Sequence, residues 1–246
     1  TGINMVTFHP DSRFLTDYAA GTLPTSEAIC VAAHLEFCAK CRAHAQQLSD
    51  LGAQIMAAME PAVDADSSSQ DDDFMRLMNT IDARAADAGK KADISVPESA
   101  RTVQADNHSA AMSGMPRILQ KLTQAPLESM RWVQLGKYLR VAPVGLGSAG
   151  RDIALYDIKA GGQMPEHEHH GEEITVLLKG SFSDAEGQYV RGDFVVRNAG
   201  EKHQPTATMD TDCLCLVSLE QPIRPTSIWY RLLDPLVNMR LSSVSN

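Results

Sequence analysis

The 246 residues carry 31 acidic and 22 basic side chains, a net charge of −9, and that balance argues against nonspecific binding to DNA or RNA. Hydrophobic residues make up 43%, enough for a core, and the length accommodates two domains. No apolar run approaches the ~20 residues of a membrane span. Residues 1–20 lack a basic region followed by an apolar stretch, and the five cysteines (Cys30, Cys38, Cys41, Cys213, Cys215) do not pair off as a secreted disulfide framework. The expectation is therefore a cytoplasmic protein with metal-bound or buried thiols.

Residues 11–60 read as helices. Asp11 or Ser12 can cap a first helix with Phe14, Leu15 and Tyr18 on one face, and Gly21 stops it. Ser26 is expected to cap a second helix, which carries Ile29, Ala33 and Phe37 at helical spacing. A third runs from about Arg42 to Met59, with Leu48, Leu51, Ile55, Met56 and Met59, and ends at Pro61. The stretch ADSSSQDDD (65–73) is an acidic, serine-rich break. DDDFMRLMNTIDARA (71–85) then predicts an isolated amphipathic helix with Phe74, Leu77, Met78 and Ile81 in one stripe and acids at its N-terminus. Residues 87–113 have little apolar content and no period, which marks a linker.

From about Pro116 the texture changes. RWVQLGKYLRVAPV, DIALYDIKA, ITVLLKGSFS, FVVRNAG and DCLCLVSL are short apolar or alternating runs separated by turn residues, and each reads as a strand or hairpin. The expected architecture is α + β in two domains: a helical bundle over 1–86, a linker over 87–113, and an all-β domain over 114–246, closed or double-sheeted to protect its edges.

Two stretches concentrate metal-ligating residues. In GGQMPEHEHHGEEITVLLKG (161–180), His167 and His169 stand at i and i+2, so on a strand they share a face. Glu173 follows four residues later and His203 thirty after that. Neutral imidazoles with one carboxylate suit zinc, iron, manganese or nickel. His170 is out of register and reads as a rim residue. A solvated acidic turn is the competing reading of such a His-rich run. In HLEFCAKC (34–41), His34 and Cys38 are i and i+4 on one face of the second helix, with Cys41 a turn further along or just past its end. A tetrahedral zinc site wants a fourth ligand, and His9 is the best candidate. A redox pair or two ordinary helix residues are the alternatives. Cys30, four residues before His34, reads as core, and His44 as surface. Cys213 and Cys215 alternate on a strand and read as small core residues, with a pair of oxidisable thiols as the sharper alternative.

The spacing Gly161, five residues, His167-x-His169, three residues, Glu173, six residues, Gly180 resembles the first motif of the cupin superfamily at every fixed position. The second cupin motif is matched in part by Gly192 and Gly200-x2-His203. Asn198 stands where that motif usually has Pro, and Ala207 where it usually has Asn. The resemblance implies a cupin barrel (a double-stranded β-helix or jelly roll) with His167, His169, Glu173 and His203 as ligands to zinc or another divalent transition metal.

His34-x3-Cys38-x2-Cys41, with HPDSRFLTDYAAGTL before it, resembles the zinc-binding anti-sigma domain. That resemblance implies zinc held by His9, His34, Cys38 and Cys41, with DFMRLMNTIDA as the helix that helps grip a partner. Together the two domains resemble the ChrR-type regulators. The combination implies a transcriptional regulator that sequesters an extracytoplasmic-function sigma factor and releases it when the cupin metal site senses reactive oxygen (singlet oxygen or an organic peroxide). No direct contact with nucleic acid or membrane is expected, and a homodimer through the cupin is among the expectations. A second scheme places the switch in a Cys38–Cys41 disulfide that ejects zinc, but such a bond is local and does not tie the first and second helices together. The reading from another class is a metal-dependent cupin enzyme, a dioxygenase or isomerase with an N-terminal accessory domain.

Overall fold

A computed structural model describes residues 6–59, 74–81, 115–123, 126–144, 152–221 and 224–225. The expected break at 65–73 and the expected linker at 87–113 both lie wholly outside these residues. The chain divides into two compact units, one of Thr1–Gln54 with His108–Asn246 and one of Ile55–Asn107.

Helix α1 (Ser12–Ala20) starts where the Asp11 carboxylate accepts the Phe14 N–H and stops at Gly21, whose φ of 71° is left-handed and whose N–H returns to Asp17 and Tyr18 carbonyls. Helix α2 (Thr25–Phe37) starts one residue after Pro24, which is extended and supplies no side-chain cap. The expectation of Ser26 as cap is therefore corrected: Ser26 lies in the first turn and is buried. Helix α3 (Ala39–Ala58) begins three residues earlier than its hydrophobic pattern suggested. Cys38, with φ −111° and ψ 104°, is an extended corner between the two helices. The expected placement of Cys38 on the second helix is corrected accordingly: the corner puts Cys41 in the first turn of α3, where its N–H donates to Cys38 Sγ at 3.4 Å. Helix α4 (74–81) exposes every residue, its apolar stripe of Phe74, Leu77, Met78 and Ile81 included. Helix α5 spans Arg117–Thr123.

The remaining elements are strands: β1 (Val133–Leu135), β2 (Leu139–Pro143), β3 (Asp152–Ile158), β4 (His167–Glu168), β5 (Glu173–Lys179), β6 (Ser181–Asp184), β7 (Gly187–Val190), β8 (Phe194–Arg197), β9 (Lys202–His203), β10 (Thr206–Ala207), β11 (Cys213–Leu219) and β12 (Arg224–Pro225). They form an antiparallel sheet ordered β1-β2-β3-β11-β5-β8 and two smaller sheets, β10-β6-β7 and β12-β4-β9. All the apolar runs read as strands carry strands. The architecture is a helical region followed by a cupin-like β domain.

The central strands explain why ITVLL and CLCLV are continuous apolar runs rather than alternating ones: both faces of the sheet are covered. On β5, Leu177 points into the barrel with Cys213, Cys215 and Val217 of β11. Ile174, Val176 and Leu178 point the other way with Leu214 and Leu216, into a core completed by Phe14, Leu15, Ile29, Val31 and Ala33 of the helices. Helices α1 and α2 thus form the outer layer of the large sheet within one compact unit. Cys30 is fully buried in this core, as its sequence context suggested.

Candidate metal centres

The helical cluster is assembled at the α2–α3 corner. His9, just before α1, places Nδ1 3.4 Å from both Cys38 Sγ and Cys41 Sγ. His34, in the last turn of α2, is fully buried; its Nδ1 lies 2.7 Å from the carbonyl of Gly192. One ligand atom from each of His9, His34, Cys38 and Cys41 lies within 4.8 Å of the others. Zinc bonds of about 2.0–2.3 Å place tetrahedral ligand atoms roughly 3.3–3.8 Å apart, so the thiol–imidazole distances already fit. His34 Nε2 is buried without a hydrogen-bond partner among the described residues, which is what a nitrogen reserved for a cation looks like. Burial, with a smaller contribution from His9, pulls His34 down to about 4, so its imidazole is neutral at pH 7. Burial and the neighbouring Cys38 thiol push Cys41 up to about 12; a bound cation would reverse that preference and hold the thiolate.

The second cluster sits inside the barrel. β4 and β9 pair so that His167 and His203 are direct cross-strand partners, and their Nε2 atoms approach to 2.9 Å. His169 follows β4, and its Nδ1 is 3.6 Å from Glu173 Oε2 at the start of β5. All four side chains are buried and offer ligand atoms within 4.8 Å of one another. His169 Nε2, like His34 Nε2, has no hydrogen-bond partner among the described residues. A small cavity beside the cluster is lined by His167, Glu173, His203, Met164, Phe182 and Cys215. His170 is exposed, in keeping with a rim position. Burial lowers His167 to about 4 and His169 to about 3, and the neighbouring imidazoles add to both shifts. Burial raises Glu173 to about 7 against the opposing pull of Thr175 and Arg197.

The side chains that orient these ligands carried no signal in the linear chain. His167 Nδ1 faces the Pro165 carbonyl at 2.9 Å, and His203 Nδ1 faces Asp184 Oδ2 at 3.1 Å. Asp184 also receives Arg197 Nη2 at 2.9 Å. Burial works to raise Asp184, but hydrogen bonds from Arg197 and His203 outweigh it and hold the carboxyl below its usual range. A carboxylate behind a ligating imidazole fixes the tautomer and raises ligand basicity. Cys213 and Cys215 are buried with their sulfurs 3.6 Å apart, and none of the five cysteines is in a disulfide.

These shifts predict a pH dependence for the metal-free protein. Below the ordinary value of 6.5, the unfolded chain takes up protons on residues 34, 167 and 169 that the folded chain refuses until about 4, 4 and 3. Stability therefore falls as the pH drops through that window. Glu173 works in the opposite direction, since its folded value of about 7 lies above the ordinary 4.5, but it is one group against three. The melting temperature of chelator-treated protein should fall between about pH 6.5 and pH 5. A melting temperature that is flat or rises on acidification over that interval contradicts the buried neutral imidazoles.

Comparison with known proteins places both regions. Residues 121–222 match the family described as the ChrR cupin-like domain, and residues 12–42 match a putative zinc finger. The chain is 32% identical over 228 residues to the anti-sigma-E factor ChrR of Cereibacter sphaeroides, spanning 92% of this chain and 96% of that relative. It also superposes with a TM-score of 0.66 and 27% identity on a chain of the crystal structure of Rhodobacter sphaeroides SigE in complex with the anti-sigma ChrR, covering 87% of this chain and 99% of that one.

Proposed function

Because the chain belongs to the ChrR-type anti-sigma factors, we propose that it sequesters an extracytoplasmic-function sigma factor and releases it when the barrel site is altered by reactive oxygen. The observation that carries this reading is the end-to-end match, which spans helical region and barrel together. The role is regulatory rather than catalytic. Among the described residues no helix is long and apolar enough to cross a membrane, and with a sigma factor of RNA polymerase as its partner the protein would act in the cytoplasm.

His9, His34, Cys38 and Cys41 would hold zinc, whose thiolate and imidazole bonds brace the corner between α2 and α3 and tie it to the segment before α1. His167, His169, Glu173 and His203 would hold zinc or another divalent transition metal, which when bound supplies Lewis acidity and keeps the imidazoles neutral. The partner surface is apolar: α3 exposes Leu51, Ile55, Met56 and Met59, and α4 exposes Phe74, Leu77, Met78 and Ile81. Amphipathic helices of this kind bind by laying an apolar face into a groove of the partner. For release, the chain offers imidazole rings, which are electron-rich targets for singlet oxygen, beside a cavity that the buried Cys215 also lines, with Cys213 Sγ 3.6 Å from Cys215 Sγ. The domain division at 1–86, 87–113 and 114–246 assigns the first segment to gripping and the last to sensing.

The test is transcription in a purified system. Zinc-loaded full-length protein added to core polymerase and each extracytoplasmic-function sigma factor of the source cell should silence one of them at about equimolar ratio. Transcription that continues with every such sigma factor at tenfold excess ends this reading and returns the barrel to candidacy as an enzyme site.

A further inference from the structure

The four residues of the helical cluster are held from two directions. Cys38 and Cys41 belong to the α2–α3 corner. His9 and His34 are set by the barrel, through the turn between β7 and β8. Gly192 of that turn offers its carbonyl to His34 Nδ1 at 2.7 Å. A Cβ at this position would come within 2.7 Å of Val6 and 2.8 Å of Phe37, and its φ is +95°, so glycine is what lets both helical-region segments approach. Asp193, next in the turn, is fully buried. Its Oδ1 accepts the N–H groups of Thr7 at 2.7 Å and Phe8 at 3.0 Å, and its Oδ2 that of Val190 at 2.8 Å. The Phe194 N–H donates to the Phe8 carbonyl at 3.0 Å. The segment leading into His9 is therefore pinned along β8, and the His34 ring is oriented with Nε2 toward the cluster.

The same region continues to the barrel cluster without a break in contact. The Phe8 ring packs on Tyr189 with centroids 4.8 Å apart. The Tyr189 hydroxyl accepts from Arg197 Nη2 at 2.6 Å. Arg197 also donates to Asp184 Oδ2 at 2.9 Å, and that oxygen faces His203 Nδ1 at 3.1 Å. The Asp184 and Arg197 side chains are 0% and 11% exposed, so solvent does little to screen or loosen the path. Arg197 also stands opposite Glu173 in the β5–β8 pairing.

We infer that Asp193 and Tyr189 are positioning residues: Asp193 sets the imidazole half of the helical metal site, and the path Tyr189–Arg197–Asp184–His203 makes metal retention there depend on the barrel site. The inference goes beyond sigma-factor sequestration and rests on both clusters holding metal. Removing a group that holds a metal ligand in place typically costs about 10–100-fold in metal affinity, and packed contacts of this kind transmit a displacement because interiors are dense and resist compression. Coupling of two binding sites is reciprocal, so each metal should stabilise the other.

The experiment uses the full-length chain loaded with cobalt. Thiolate-to-cobalt charge-transfer absorbance arises at the cluster with Cys38 and Cys41 and not at the His/Glu barrel cluster, so it reads one site alone. Asp193→Ala, which removes the acceptor of the Thr7 and Phe8 N–H groups, should release that cobalt to a chelator at least about tenfold faster than wild type. His169→Ala, which removes a barrel ligand off the path, should speed release about fivefold or more in the wild-type background. In the Tyr189→Phe background, where the Arg197 bond is lost but the Phe8 packing is kept, it should add no more than about a twofold change. If Asp193→Ala fails to fold, the cycle of His169→Ala with Tyr189→Phe decides alone. Release that is the same in wild type and His169→Ala, or an equal effect of His169→Ala in both backgrounds, overturns the coupling. A wild-type chain with no thiolate band overturns the metal reading of the helical cluster and this inference with it.

Discussion

A chain carrying Cys38→Ser and Cys41→Ser together should lose sigma-factor affinity by about 100-fold or more, because it loses the soft half of the helical metal site. Serine is nearly isosteric with cysteine, so the change tests ligation rather than packing. Both thiols are buried, at 5% and 4% exposure, and two buried hydroxyls with no cation between them cannot draw His9 and the α2–α3 corner together. The corner sets the direction of α3, and α3 carries the exposed residues Leu51, Ile55 and Met56 that the partner would cover. The barrel side of α1 and α2 should survive, since their core is shared with Ile174, Val176 and Leu216. The readout is fluorescence anisotropy of labelled sigma factor against the variant, with circular dichroism as the check that the sheet remains. Binding within about threefold of wild type would show that the metal does not shape the gripping surface.

The second large effect separates gripping from sensing. His167→Ala, in zinc excess, should bind the sigma factor within about threefold of wild type and yet fail to release it. Under photosensitised singlet oxygen or an organic peroxide, wild-type complexes should weaken by about tenfold or more, and His167→Ala complexes by less than about twofold. The residue is a good probe because it contributes to the barrel cluster only: its Nδ1 faces a carbonyl within its own loop, at Pro165, and its Nε2 faces His203. Its direct polar contacts stay within the barrel, and the zinc excess keeps the helical site filled even if the change loosens it through His203. Oxidant-driven release that persists at the wild-type level in this variant would remove the barrel site from the sensing scheme and move attention to Cys38 and Cys41. Loss of binding without any oxidant would instead make the barrel part of the grip.

Much of the candidate chemistry was legible because ligands are specified by residue type and spacing. His167-x-His169 with Glu173 four residues on, and His34-x3-Cys38-x2-Cys41, are short-range patterns, and the structure brings each set to within 4.8 Å together with His9 and His203. The strand runs were legible for the same reason, since apolar segments bounded by turn residues report burial directly. Errors fell at element boundaries. Ser26 looked like a cap because serine often is one, but Pro24 already fixed the entry to α2. The break between the second and third helices was expected, but near Arg42 rather than at Cys38, because apolar periodicity places a helix end only to within a few residues.

What the linear chain determined by itself is the set of groups able to bind metal, the division of its length into helical and β regions, and the apolar stripe at 74–81. These follow from local periodicity and side-chain chemistry. Only the tertiary structure decided what stands behind the ligands and what covers the sheet. Asp184 lies nineteen residues from His203, and Gly192 lies 158 residues from His34; no short-range pattern links such pairs, because a bent sheet sets their meeting. The unbroken apolar runs of β5 and β11 read as strands, but nothing in them shows that α1 and α2 cover one face of the sheet. That choice depends on shape complementarity between distant segments, and it is what brings the helical metal residues onto the β7–β8 turn of the barrel.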